Sequence, residues 1–183
     1  MNAVINLTQQ ITRRIDQCSE WTGRILSWLT LFLVLMQFSI VIGHYIFREG
    51  AIFLQESLLY MHSMIFLGAA AYTLRVGGHV RVDVFYGQFQ EKTKAWVNLI
   101  GCLFFLLPMT ILIFWMAWPY VVSSWENMEG SIESSGIQAV YLLKSMILFF
   151  AFTLCLQGVS LLLHSMLTIL NVEHLPEDTP EIL

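Results

Sequence analysis

The residues with the widest chemical range in this chain of 183 sit together in RVGGHVRVDVFYGQF, residues 75–89. Within it His79, Arg81 and Asp83 alternate with Val80, Val82 and Val84. In an extended segment that alternation turns the polar side chains to one face and the valines to the other. Arg81 suits two-pronged pairing with a phosphate or a carboxylate, and Asp83 suits the N-terminus of a neighbouring helix. His79 and Asp83 alone fall short of the ligand set of tetrahedral zinc. General acid–base work would need a pocket and a second partner that this stretch does not carry. The sequence has no Gly-rich phosphate loop, nucleophile elbow or paired catalytic carboxylates. Cys18, Cys102 and Cys155 are odd in number and far apart, which fits neither a disulfide framework nor a metal site. No catalytic residue, substrate-binding residue, metal or cofactor is therefore expected in this chain.

Two further ionisable residues fall inside apolar surroundings. Glu56 and Lys144 lie near the same end of their respective hydrophobic runs, and intramembrane charges commonly have partners. A Glu56–Lys144 pair is one reading. The other has Lys144 snorkelling outward and Glu56 reaching headgroups or Arg48. Histidines on apolar helices also raise haem ligation, as in a cytochrome b-like redox anchor, which is the alternative function. His44, His62 and His164 stand at mismatched depths, and ordinary packing is the commoner role for such residues.

The elements that must hold these residues follow from composition. Hydrophobic residues make up 57% of the chain and charged residues 12%, about half the charged share of ordinary globular proteins. Formal charge is missing from Ile25–Phe47, Ser57–Leu74, Ala95–Trp125 and Ser145–Val172. A hydrocarbon core of about 30 Å takes about 20 helical residues, so each run is long enough once the second borrows weakly polar residues from Ala51 onward. The expected fold is an all-α integral membrane protein with four transmembrane helices near 25–47, 52–74, 95–119 and 141–168.

Seven of the nine basic residues, Arg13, Arg14, Arg24, Arg75, Arg81, Lys92 and Lys94, fall on one side of that arrangement, leaving Arg48 and Lys144 on the other. The positive-inside bias then puts both termini and the 75–94 connection in the cytoplasm. Residues 1–24 read as an amphipathic interfacial helix with Val4, Ile11, Ile15, Cys18, Thr22 and Ile25 near one side. Residues 173–183 read as an acidic, disordered tail. Pro108 is expected to kink the third span, and Gly77 or Gly78 to supply a left-handed cap after the second. Gly68, Ala69, Ala70 and Ala71 form a close-packing patch, suited to a partner or to this subunit itself. No basic patch with interleaved aromatics points to nucleic acid.

These residues also carry a family resemblance. LQESLLYMHSMIFLGAAAYTLRVGGHVRVDVFY, 54–86, with Glu56 early in the second helix and GHVRVD at 78–83, resembles the small membrane (DctQ-like) subunit of TRAP (tripartite ATP-independent periplasmic) transporters. SSWENMEGSIESSGIQAVYLLKS, 123–145, and LQG, 156–158, resemble features of one branch of that family. Gln55 departs from relatives that carry an acidic residue or tryptophan there. The resemblance implies a non-catalytic scaffold in the bacterial inner membrane. It also implies pairing with a large elevator-type membrane subunit that holds the substrate and sodium sites, and work with a periplasmic substrate-binding protein. Sodium-coupled import of small organic acids is the implied activity. The 75–89 stretch, with Gly78, His79, Arg81 and Asp83, becomes a strap closing the second and third helices against lipid or the large subunit.

Overall fold

The computed structural model of the chain describes residues 2–47, 50, 52–79, 86 and 89–172. Arg48, Arg81, Asp83 and the acidic tail lie outside these residues. Among those described, every regular element is helical. Helix α1 is Asn2–Phe47, α2 is Ile52–Gly68 and α3 is Ala70–Arg75. Helix α4 is Glu91–Gly101, followed by a π-helical turn over Cys102–Leu106, then α5 at Leu107–Glu126 and α6 at Val140–Ile169. Four continuous stretches are long and apolar enough to cross a membrane: Ile5–Ile46, Ile52–Arg75, Glu91–Glu126 and Val140–Ile169. They alternate in direction, so one pole of the bundle holds the start of α1, the end of α3, the start of α4 and the end of α6.

Helix α1 runs unbroken through the residue-24 boundary expected from sequence. Its 46 residues span roughly 70 Å at 1.5 Å per residue, more than twice a hydrocarbon core of about 30 Å. The inward face of its first half is polar and small rather than apolar. Thr12, Ser19 and Gly23 are buried while Ile11 and Ile25 are exposed. Gly23 meets the ring of Tyr72, where an added Cβ would come within 2.4 Å of Cγ. Farther along, the α1–α2 seam closes on Gly68, whose added Cβ would lie 2.9 Å from Leu26. Gly68 and Ala71 are buried and Ala69 and Ala70 half-buried, so the small-residue patch packs within this subunit. Ala69 marks only a local turn between α2 and α3, and its amide still donates to the Ile65 carbonyl at 3.0 Å.

The third span carries a π turn over Cys102–Leu106, immediately before Pro108. The Leu107 amide donates to the Cys102 carbonyl, five residues back. The wider turn leaves Pro108 in the opening positions of α5, where its missing N–H removes no required bond. The same turn presses onto α6. Cys102 Sγ donates to the Gly158 carbonyl at 3.0 Å, and an added Cβ on Gly158 would lie 2.7 Å from Leu106.

Three helix ends use one stop device. The Gly78 amide donates to the Thr73 carbonyl at 2.8 Å and the Gly77 amide to Leu74 at 3.2 Å, with Gly77 at φ 66°. That is a Schellman cap, and Gly77 is the left-handed residue the sequence called for. Asn171 at φ 56° and Met128 at φ 43° hold the equivalent places after α6 and α5.

Overpacking at a helix crossing costs about 1–3 kcal/mol. Gly158→Val is therefore expected to lower the thermal midpoint of the detergent-purified protein by several degrees. Gly101→Ala, where an added Cβ meets nothing within 4 Å, is expected to leave it level or raise it. Equal midpoints for the two variants in a melting series would show that the π-turn contact with Gly158 is not tight.

Candidate functional site

Polar side chains concentrate at the two poles of the bundle. At the N-terminal pole the centre is Asp16, which the sequence did not single out. One of its carboxylate oxygens accepts hydrogen bonds from Gln157 Nε2 at 2.9 Å and from Ser160 Oγ at 2.8 Å. The other lies 3.0 Å from His164 Nε2. Ser19 Oγ donates to Gln157 Oε1 at 2.6 Å, so the amide is held at both ends. Gln157, Ser160 and His164 rise along one face of α6, and Asp16 and Ser19 along one face of α1, which joins the tail to the fourth span. Just beside this cluster Glu20 bridges Arg24 at 2.6 Å and Arg75 at 3.0 Å, tying α1 to the end of α3.

At the opposite pole Glu56 and Lys144 do not pair with each other, so the first of the two readings fails. Glu56 binds the connection between α5 and α6. Its carboxylate accepts from Ser131 Oγ and, at 2.5 Å, from the Ile137 amide. Gly136 must be glycine for this approach, since a Cβ there would lie 2.6 Å from both Glu56 oxygens. Lys144 instead reaches Glu129, Nζ to Oε2 2.5 Å, and stands 4.0 Å above the Tyr120 ring. The reason is reach: the connection folds back over the helix ends and delivers hydrogen-bond donors and a nearer carboxylate to each charge. Trp125 Nε1 donates to Ser145 Oγ at 2.8 Å and its ring packs on Tyr141, closing α5 onto α6. The Lys144 hydrogen bond holds the Glu129 carboxyl below the usual carboxylate range.

The remaining site candidates separate. Gly78 completes the cap after α3, and His79 is exposed just beyond it. His44 packs edge-on to Tyr45, His62 stacks on Phe66, and His164 belongs to the Asp16 cluster, so the three do not converge on a haem. Among the described residues no three metal-ligating side chains come together. A groove of about 740 Å³ between the third and fourth spans is lined mainly by apolar side chains such as Phe105, Met109 and Leu154.

The signal for Asp16 was present in the sequence. Thr12, Asp16, Ser19 and Gly23 recur at helical spacing, as do Gln157, Ser160 and His164. Two polar stripes on helices of a membrane chain call for each other, because hydrocarbon offers neither a partner.

The fold and its poles define a class: a multi-pass membrane bundle whose polar clusters at Asp16 and Glu56 tie its own elements together. The chain matches the family model "Tripartite ATP-independent periplasmic transporters, DctQ component" over residues 32–168 and belongs to that family, the small membrane component of TRAP transporters. No curated protein and no solved structure is matched by the chain.

Removing Asp16 leaves three buried partners without their acceptor, a loss of about 1–3 kcal/mol for each unsatisfied group. Asp16→Ala is expected to lower the thermal midpoint more than Asp16→Asn, which keeps one acceptor oxygen. A melt in which the two variants match the parent protein would remove the cluster as a structural lock. Glu56→Gln is expected to speed amide exchange at Ile137 and proteolysis within 127–139, and reversing Glu56 and Lys144 together is expected not to restore protection. The Glu129–Lys144 contribution is present above the ordinary carboxylate pKa, because the folded carboxyl titrates lower, and it fades only as pH falls through that lower value. Protection factors in the 127–139 connection, taken relative to the intrinsic exchange rate at each pH, should thus hold on mild acidification, fall at strongly acid pH, and lose that step in Lys144→Met.

Proposed function

We propose that this chain is the fixed, non-catalytic scaffold of a sodium-coupled importer of small organic acids in a bacterial inner membrane. Its partners are a large membrane subunit, which binds substrate and sodium, and a periplasmic substrate-binding protein. Membrane lipids cover the rest of its apolar surface. Both termini and the 75–94 connection face the cytoplasm, where the basic residues cluster, and the 127–139 connection faces the periplasm. The strap residues His79, Arg81 and Asp83 lie against lipid headgroups or the large subunit.

One observation carries this reading beyond family membership. Asp16, Glu56, Lys144 and His164, the half-buried and buried ionisable groups of the poles, are each bonded to another group of this same chain. A carrier keeps such groups facing a path for solute and ion. Here they tie helix to helix and loop to helix, as a rigid wall requires.

Reconstitution tests the proposal. Liposomes containing this chain alone are expected to show no uptake of a small organic acid. Adding the co-expressed large subunit and the binding protein is expected to give uptake that collapses when the sodium gradient is removed. Uptake by the chain alone, or failure of the large subunit to co-purify, would overturn it.

A further inference from the structure

The groove between the third and fourth spans has apolar walls and one polar, cationic end. It holds about 740 Å³, within the usual range of roughly 300–1,000 Å³ for small-molecule sites. One wall runs from Val97 through Gly101 and Phe105 to Ile113, and the α6 wall runs from Leu161 to Phe150. A Cβ added to Gly101 meets nothing within 4 Å, so the first wall is open there. Val97 and Ile113 stand roughly 24 Å apart along the helix at 1.5 Å per residue. A bilayer with its headgroups is about 40–45 Å thick, so the groove has about the depth of one leaflet. A helix crossing the whole membrane would need a longer track. Beyond Ile113 that track is closed, with Val121 and Ser124 buried and Trp125 packed on Tyr141.

Three side chains build the polar end. Tyr86 and Asn98 line it, and the Tyr86 hydroxyl donates to Asn98 Oδ1 at 3.1 Å. Lys94 lies one turn before Asn98 on the same face of α4, its Nζ 5.3 Å from the centre of the Tyr86 ring. Lys94 is half-buried, and among the described residues no carboxylate lies within ion-pair distance of its ammonium. Arg75, which follows Leu74 of the groove lining, is already held by Glu20 at 3.0 Å. A cation without a counter-charge, at the end of an oily slot one leaflet deep, complements an amphiphile with a negative head.

We propose that this groove binds one anionic phospholipid from the leaflet at the N-terminal pole. An acyl chain lies along Phe105, Met109 and Leu154, and the phosphodiester meets Lys94, with the Asn98 amide nitrogen as a second donor. A zwitterionic head brings its own cation towards Lys94 and gains less. The site goes beyond the scaffold role and does not depend on which side of the membrane this pole occupies.

Native mass spectrometry tests this on the full chain, released from detergent micelles doped with dioleoyl phosphatidylglycerol or dioleoyl phosphatidylcholine. The phosphatidylglycerol adduct is expected to be retained about fivefold better, the effect of one lysine near an anionic headgroup. Lys94→Gln is expected to erase that preference while leaving phosphatidylcholine retention and the thermal midpoint level, and Lys94→Arg to keep it. Lys92→Gln, which removes an exposed cation from another face of α4, is expected to change nothing. No preference in the parent protein, or equal losses in the Lys92 and Lys94 variants, would reduce the attraction to diffuse surface charge and overturn the site. In membranes, p-benzoylphenylalanine at Met109 is expected to crosslink to lipid. A protein adduct there would make the groove a subunit interface and sink the proposal without touching the scaffold reading.

Discussion

A polar group inside a hydrocarbon layer has no water to fall back on, so its hydrogen bonds must come from protein. That constraint orders this structure more than side-chain shape does. Serine and threonine along the spans satisfy it locally, returning hydroxyls to carbonyls one turn back, as Ser27 does to Gly23 at 2.9 Å and Thr73 to Ala69 at 3.0 Å. Residues too large or too polar for that solution are drawn together across helices. Asp16, Gln157, Ser160, His164 and Ser19 form one such gathering, and the 127–139 connection wrapped on Glu56 forms another. Because water is not a competitor in such places, removing one member strands the others, and the cost of separating the helices rises accordingly.

The placement of these clusters explains how four thin helices behave as one body. Apolar packing alone gives little preference for protein over lipid, since leucine is as comfortable against a tail as against another leucine. The bundle therefore closes at its poles. Asp16 and Glu20 fasten α1 to α6 and α3 at one pole, while Glu56, Lys144 and Trp125 fasten α2, α5 and α6 at the other. Between the poles, glycines at 23, 68 and 158 let the rods approach closely enough for dispersion to add up. Polar ties at both ends of the bundle suit the scaffold role proposed above.

The four spans and the left-handed glycine at the end of the second were legible in the sequence, because charge-free runs and a Gly–Gly stop depend on local composition alone. The side-chain partners were less so. Glu56 and Lys144 stood out as buried charges, and depth alone made them look like a pair. What parted them was the path of residues 127–139, set by Gly130, Gly136 and a positive φ at Met128, none of which a hydropathy reading resolves. Asp16 escaped notice for a different reason. It sits among arginines and glutamines in a segment that reads as a surface helix, and its role depends on a face of α6 more than 140 residues away in the chain. Pro108 was visible as a disturbance, but the form the disturbance took depended on the fit of Cys102 and Leu106 against Gly158.

The same constraint that closes the poles also limits what the middle of α1 can be. Thr30 and Ser39 meet it locally, whereas Gln37 stands exposed farther along the helix. The residues on the α2 side are leucines, methionine, isoleucine and glycine, those on the lipid side are tryptophan, leucine and phenylalanine, and only the strip between mixes valine with amide, hydroxyl and imidazole. Hydrophobic attraction cannot select such a strip in lipid, whereas hydrogen bonding and close approach can.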